Sequence, residues 1–255
     1  MRARFPGCGM WRRFRGWQRR HPRASRRIAL ALAAWGAVCL VGDLSDPGHP
    51  TRLEPPRATE AEAALLCGGM EGPLDYVAIH TWLVVHAPGE SRWERWEILG
   101  GGLHVVADDL VRTDAWSTPE EWPFGAGPTR VLARWRGAEA ERLIATVRAG
   151  DYAHPHVYWA WPGPNSNTYV EAMLRRAQVP CDLPTTAIGK DYRGWVGASR
   201  TSTGTGVQLE SPLLGLRVGL HEGLELHVIA ATFGVDPWPP ALKVPYGDGR
   251  FGWPE

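Results

Sequence analysis

The side chains best placed for chemistry lie in residues 161–170, where a Trp-Pro-Gly-Pro turn precedes Asn165, Ser166 and Asn167. Proline fixes φ and cannot donate a backbone hydrogen bond, so this turn is rigid. Apolar residues at spacings of three and four follow over residues 168–178 and predict an amphipathic helix. Ser166 or Asn167 is the predicted N-cap, with Asn165 just outside the helix. Ser166 is therefore a candidate nucleophile beside N–H groups that could hold an oxyanion, although ordinary helices also keep Ser or Asn there.

The second candidate is the pair His80 and Glu97. Residues 76–85 and 92–99 are rich in β-branched and aromatic side chains and predict two strands joined by a Pro-Gly turn. If that dipeptide is the centre of the turn, His80 faces Glu97, with Cβ atoms about 4.5–5.5 Å apart. The carboxylate could then orient the imidazole as a general base. A one-residue shift would remove the pairing, and an ordinary cross-strand polar pair is the alternative.

Further side chains could line a ligand site. Trp159 and Trp161 flank the turn, and they could line a cleft or pack beneath it. Lys190 and Asp191, followed by Tyr192, could form a catalytic pair or belong to a solvated or locally salt-bridged loop. With Asn165 and Asn167, these residues form the predicted binding set. His154 and His156 have a spacing that can hold a metal, but no third ligand is identifiable, so neither a metal nor another cofactor is predicted.

The N-terminus predicts a membrane segment. Residues 1–27 contain ten arginines and no acidic residue, and an uncharged, mostly aliphatic run follows over residues 28–42. This order is typical of a secretory signal or an N-terminal anchor. We favour an uncleaved single-pass anchor over residues 28–44 in a bacterial inner membrane. The arginines of the arm, residues 1–27, would stay in the cytoplasm, which places the remainder in the periplasm.

The part of the chain after the arm is acidic. Ten of the 28 lysines and arginines lie in the arm, so 18 basic side chains face 27 acidic ones beyond it. A net charge of −9 argues against a nucleic-acid partner, because such partners demand basic patches. A Pro-rich and charged linker is predicted over residues 45–60. The roughly 195 residues that follow, 61–255, suit one domain with a substantial core.

The order of the predicted elements indicates an α+β domain. A hairpin comes first, helices over residues 138–148 and 166–178 follow, and strand-like runs broken by glycine extend over residues 207–233. Strands and helices do not alternate regularly. We therefore predict a mainly antiparallel sheet with a few packed helices, behind the N-terminal membrane helix.

Several segments resemble a known bacterial family. His80-Thr81-Trp82, the Trp161–Val170 segment, Ala187–Tyr192 and the tail at residues 240–252 are similar to the domain of unknown function 3750. The resemblance covers about residues 75–252. It implies no mechanism, and it fits an envelope protein with one N-terminal membrane segment.

A shorter segment resembles circularly permuted papain-like hydrolases and acyltransferases. These enzymes place a histidine on an early strand and a cysteine nucleophile later, at the start of a helix, and here His80 precedes the Asn165–Tyr169 segment. The resemblance implies catalysis on amide or ester bonds. The departure is Ser166 in the cysteine position, which leaves either a serine variant or a domain that has lost catalysis.

Three functional hypotheses follow. The protein could be an envelope hydrolase or acyltransferase with Ser166 as nucleophile, His80 as base and Glu97 as orienting group. It could be a catalytically inactive module that binds an envelope peptide, glycan or lipid headgroup in the same cleft. It could also be a structural partner of another envelope protein. The relative positions of His80 and Ser166 discriminate the first hypothesis from the others.

Overall fold

The computed structural model describes residues 21–46, 48–125 and 127–253. Residues 1–20 of the predicted arm lie outside the described residues. The first described element is a long helix, α1 (Pro22–Ser45), which begins with a proline and carries exposed aliphatic side chains along its length. It is long and apolar enough to cross a membrane, and it is the one such helix within the described ranges.

A five-stranded antiparallel sheet forms the first half of the domain. Its strands are β1 (Glu62–Gly69), β2 (Ile79–His86), β3 (Glu94–Ile98), β5 (Val111–Thr113) and β6 (Arg130–Arg136). Their spatial order is β5-β3-β2-β1-β6, so the long strands β1 and β2 are central. A 3-10 turn, Gly72–Tyr76, connects β1 to β2. β1 and β2 are buried almost throughout, because both faces of this sheet are covered.

Two helices cover one face of this sheet. They are α2 (Ala138–Arg148) and α3 (Ser166–Arg176), and both are amphipathic. Their apolar stripes, which include Leu143 and Met173, pack on the β2 side chains Leu83 and Val85. The opposite face is covered by a smaller cluster that includes Trp82 and Trp122. Successive residues of β2 therefore point alternately at the helices and at the tryptophans.

The second half is a seven-stranded antiparallel sheet. Its strands are β8 (Gly197–Arg200), β9 (Val207–Glu210), β10 (Leu214–Gly219), β11 (Gly223–Val228), β12 (Ala231–Asp236), β13 (Ala241–Lys243) and β14 (Arg250–Gly252). They lie in chain order from β8 to β14. A small two-stranded sheet pairs β4 (His104–Val106) with β7 (Val157–Trp159). The predicted α+β class and antiparallel pairing are confirmed, with the strands divided among three sheets.

The hairpin register differs from the prediction by two residues. Pro88 and Gly89 are central in a turn closed by the Glu90 N–H and the Ala87 carbonyl, but residues 91–93 bend before pairing resumes. Val85 then pairs with Glu94 and Leu83 with Trp96. An even shift keeps every side chain on its face, so His80 and Glu97 become diagonal neighbours instead of directly opposed ones.

Candidate functional site

The predicted nucleophile segment begins α3, but its N-cap is Asn165, not Ser166 or Asn167. The Asn165 backbone is extended, and its side-chain oxygen accepts hydrogen bonds from the N–H groups of Asn167 and Thr168. The Thr168 hydroxyl in turn accepts from the Asn165 N–H and completes a capping box. The prediction failed because several adjacent polar residues can each cap a helix, and the chain path into the helix selects one of them.

Asn167 joins α3 to β2. Its side-chain oxygen accepts from the N–H of Thr81 at 3.1 Å and from the Thr81 hydroxyl at 2.8 Å. Its amide nitrogen donates to the carbonyls of Ile79 and Ile188, each at 2.9 Å. β3 pairs with β2 only over residues 83–85, so the Asn167 amide satisfies backbone groups that no strand reaches. Asn167 is buried, and its function here is structural.

Ser166 occupies the first helical position and is 3% exposed. No hydrogen bond to its hydroxyl occurs within the described part of the chain. The next two N–H groups of the helix, which could have held an oxyanion, already donate to the Asn165 side chain. Ser166 therefore lacks both a partner that would take its proton and most of the expected oxyanion donors.

His80 and Glu97 are in contact. His80 Nε2 lies 2.8 Å from a Glu97 oxygen, and the other Glu97 oxygen accepts from the Trp116 indole. The Arg95 guanidinium also binds this carboxylate. The His80 ring stacks on Trp122, with centroids 4.1 Å apart. Burial lowers the pKa of His80 despite Glu97, so the imidazole is neutral at pH 7 and donates from Nε2 to the carboxylate.

The structure does not bring His80 and Ser166 to one face of the sheet. His80 points at the tryptophan cluster, as its contacts with Trp82 and Trp122 show. The next residue, Thr81, points at α3 and binds Asn167. Strand alternation thus puts the β2 backbone between the imidazole and the start of α3. The catalytic roles of Ser166, His80 and Glu97 stay predictions, and this geometry does not favour them.

A cleft lies beside the Pro-Gly-Pro turn. Its lining includes Trp161, Pro162, Asp191, Tyr192, Arg193 and Glu210. Its cavity volume is about 40 Å³, and the rest of the cleft is open to solvent. It combines exposed aromatic surface with convergent polar groups, which is typical of ligand sites.

The other members of the predicted binding set lie elsewhere. Trp159 is outside the cleft and contacts His104, with ring centroids 4.0 Å apart. Asn165 and Asn167 hold the loop that forms the cleft wall, through hydrogen bonds to the Ile188 carbonyl. Lys190 is buried behind Asp191 and does not reach the opening.

A buried network of charges supports the cleft. Glu225 is its centre and contacts four cations, Lys190, Arg217, His227 and Lys243, at 2.5–3.4 Å. Burial opposes ionisation of Glu225, but these cations hold its pKa well below the ordinary range. Because each buried charge has partners of opposite sign, the desolvation cost is offset.

His227 connects this network to the cleft. Its Nδ1 lies 2.5 Å from Glu210, and its Nε2 lies 3.1 Å from Glu225. Burial alone would lower the pKa of His227, but Asp191, Glu210 and Glu225 together raise it to about 9. The imidazole is therefore a cation at pH 7 and donates from both nitrogens.

Asp191, Glu210 and His227 are the described residues whose spacing could hold a metal ion. Their ligand atoms lie within 4.8 Å of one another. A metal ligand needs the lone pair of a neutral imidazole, however, and both His227 nitrogens carry protons that carboxylates accept. Lys190 also neutralises Asp191 at 3.2 Å. The donor set fits an ion-pair network better than a metal centre.

Sequence reasoning missed Glu210, Glu225 and the partners of His227. Their available signal was the alternation of apolar and polar side chains over residues 207–210 and 224–228. Alternation identifies one face of a strand but not the partners that this face meets. Lys190 and Asp191 come from a loop 35 residues before Glu225, so spacing in the sequence could not join them.

These elements define an α+β protein of antiparallel sheets in which a helix-capping asparagine segment and a cleft-forming loop are joined. Residues 66–192 match the model of one family, described as "Protein of unknown function (DUF3750)". This segment, which is just under half of the chain, resembles that family, and the resemblance predicted from its motifs is confirmed over these residues. No curated protein and no solved structure matches the chain. The permuted papain-like relation therefore stays a prediction.

Asn167→Asp is expected to destabilise the protein by about 2–4 kcal/mol, because the carbonyls of Ile79 and Ile188 would lose their donor and face a carboxylate. Thermal or chemical unfolding of the full chain measures this. Ser166→Ala is the matched control on the neighbouring residue, with an expected cost below about 1 kcal/mol. Equal losses in the two variants would contradict the structural role of Asn167.

The stability of the fold should fall in alkaline solution because of His227. Its folded pKa of about 9 exceeds the ordinary value of 6.5. The resulting stabilisation, about 3 kcal/mol at most, is complete below about pH 6.5 and is lost as the pH rises through about 9. Unfolding measured from pH 6 to 10 should show this slope, and His227→Gln should flatten it. His221→Gln, at an exposed turn position, should keep the slope; a flat wild-type profile would refute the assignment.

Proposed function

We propose that this protein is a membrane-anchored component of the bacterial envelope whose α+β domain binds a ligand in the cleft beside Trp161 and does not hydrolyse it. The separation of His80 and α3 by the β2 backbone is the observation that carries this choice over a serine hydrolase. No base contacts Ser166 within the described residues, and the helix N–H groups beside it already donate to Asn165.

The proposed anchor is α1. Its exposed aliphatic side chains, such as Leu30 and Leu32, would face lipid, and basic residues precede its apolar run. The helix would cross the inner membrane once and place the domain in the periplasm. We propose that the chain consists of a basic arm, an anchor, a linker and a single domain over residues 61–255.

The cleft chemistry favours a glycan over a peptide or a lipid headgroup. The Trp161 side chain is 37% exposed and offers a flat face on which a sugar ring can stack. Asp191 and Glu210 line the cleft with carboxylate oxygens, which accept hydrogen bonds from hydroxyl groups, whereas the N–H groups of Arg193 already donate inside the protein. These charges are already paired inside the protein, so the opening favours a polar, uncharged ligand.

A periplasm-dependent reporter fused to the C-terminus tests the topology. We expect an active reporter in the full-length fusion, because ten arginines precede the apolar run and should stay in the cytoplasm. The same reporter fused after Arg27, before that run, should be inactive. A full-length fusion that is well expressed but inactive would contradict the proposed topology.

Trp161→Ala should weaken glycan binding about tenfold, equivalent to 1.4 kcal/mol, because the stacking surface is lost. Calorimetric titration of the full chain in detergent measures this, with N-acetylglucosamine oligomers and peptidoglycan stem peptides as separate probes. Trp159→Ala is the matched control, since Trp159 belongs to the same segment but lies outside the cleft. It should bind like the wild type.

Two results would count against the binding module. One is equal weakening by Trp161→Ala and Trp159→Ala, or no binding of the oligomers at all. The other is covalent labelling of Ser166 by a fluorophosphonate that disappears in Ser166→Ala and His80→Ala. That labelling would support the serine hydrolase hypothesis instead.

A further inference from the structure

The seven-stranded sheet is amphipathic in the reverse sense to that of a soluble protein. The large side chains that β9–β13 present outward are all apolar and all exposed: Val207, Leu209, Leu214, Leu216, Val218, Leu224, Leu226, Val228, Phe233, Val235 and Leu242. The side chains between them point inward and are polar or charged, as Gln208, Arg217, Glu225 and Lys243 illustrate. A sheet in water normally has the opposite arrangement.

The outward side chains form one continuous patch. Leu216 pairs with Leu209 on one side and with Leu226 on the other. Leu226 in turn pairs with Phe233, and Val235 pairs with Leu242. Directly paired side chains touch across a ladder. No charged side chain interrupts this patch between β9 and β13, and a continuous exposed apolar patch marks an interaction surface. We call these residues the outer sheet face.

A change in strand register cannot bring the outer sheet face into the core. A shift of one residue would exchange the two faces, and it would expose the inner side chains that meet Lys190, Asp182 and Asp191. The buried ion pairs thus hold the apolar side chains outside. An apolar surface held out of the core in this way requires an external partner that is itself apolar.

The contact between this sheet and α1 identifies that partner. The indole nitrogen of Trp253, beside β14, donates to the Val38 carbonyl at 3.1 Å. A Cβ atom on Gly42 would lie 2.5 Å from Trp253, so only glycine permits the close approach. Val38 and Gly42 belong to the apolar run of α1. If α1 spans the membrane, the edge of the sheet lies at the depth of the outer turns of the helix.

The margins of the outer sheet face carry residues typical of a lipid interface. Trp195 lies before β8 and is 79% exposed, and Trp238 lies between β12 and β13 and is 80% exposed. Tryptophans concentrate where hydrocarbon meets headgroups. Arg200 on β8 pairs with Val207 and is exposed at the same margin, where a cation can meet an anionic headgroup.

We propose that the outer sheet face docks on the outer leaflet of the membrane that α1 anchors. The bilayer supplies the apolar partner, and α1 holds the sheet edge at the correct depth. The domain then has two membrane contacts, a spanning helix and a flat sheet face. This inference rests on the proposed anchoring by α1.

Photocrosslinking of the full chain in native membranes tests the docking. The photoreactive residue p-benzoylphenylalanine, which inserts into nearby C–H bonds, replaces one residue at a time. Leu226→p-benzoylphenylalanine probes the outer sheet face, and Ala145→p-benzoylphenylalanine, exposed on α2, is the negative control. Leu32→p-benzoylphenylalanine, on the exposed surface of α1, reports anchoring itself. Each crosslinked product is identified by mass spectrometry.

Phospholipid adducts at positions 226 and 32, with none at 145, are the expected result. Adding Leu216→Glu should reduce the adduct at position 226 several-fold and leave that at position 32 unchanged, because the new charge faces the lipid and leaves the core intact. An adduct at 32 without one at 226 would overturn the docking and retain the anchor. Crosslinking of 226 to a second copy or to another protein would also overturn the docking. No adduct at 32 would overturn the anchor and the docking together.

Discussion

The charge of Glu225 is the constraint on which the second half of the molecule depends. This carboxylate is fully buried, and the cations around it come from β10, β11, β13 and the loop before β8. Removing one partner would weaken the compensation of the remaining buried charges, which is more costly than the absence of the whole network. The network therefore fixes which face of the sheet is inside. It also fixes Asp191 and Glu210, which shape the cleft, and it leaves the aliphatic side chains outside.

The asparagine segment has the corresponding role in the first half. Asn165 caps α3 and Asn167 completes the hydrogen bonding of β2, while both hold the Ile188 carbonyl. The most recognisable segment of the chain is thus a joint among a helix, a strand and a loop. Such a segment looks like a catalytic motif because both uses need small polar side chains at a helix start. The cleft next to the joint, and not the joint itself, offers the accessible surface.

A feature could be predicted from the sequence when the interactions that cause it lie within one helix or strand. The helix Ala138–Arg148 was predicted with its exact bounds because its apolar spacing lies within the element. The predicted contact of His80 with Glu97 is present although the predicted register was wrong, because a shift of two residues keeps both side chains on the same face of the sheet. The cap at Asn165 was missed because neighbouring residues compete for that position. The partners of Glu225 could not be predicted, since they come from separate elements, and the usual expectation that apolar side chains point inward is reversed in this sheet.

The contact between Trp253 and Val38 closes a loop of 215 residues. A ribosome makes α1 early and β14 late, so the strands β1 to β13 are synthesised before α1 and β14 can meet. A chain truncated before β14 would keep most of the charged network around Glu225. It would lack the contact between Trp253 and α1. Only a chain that contains β14 and Trp253 can make this contact between the sheet and α1.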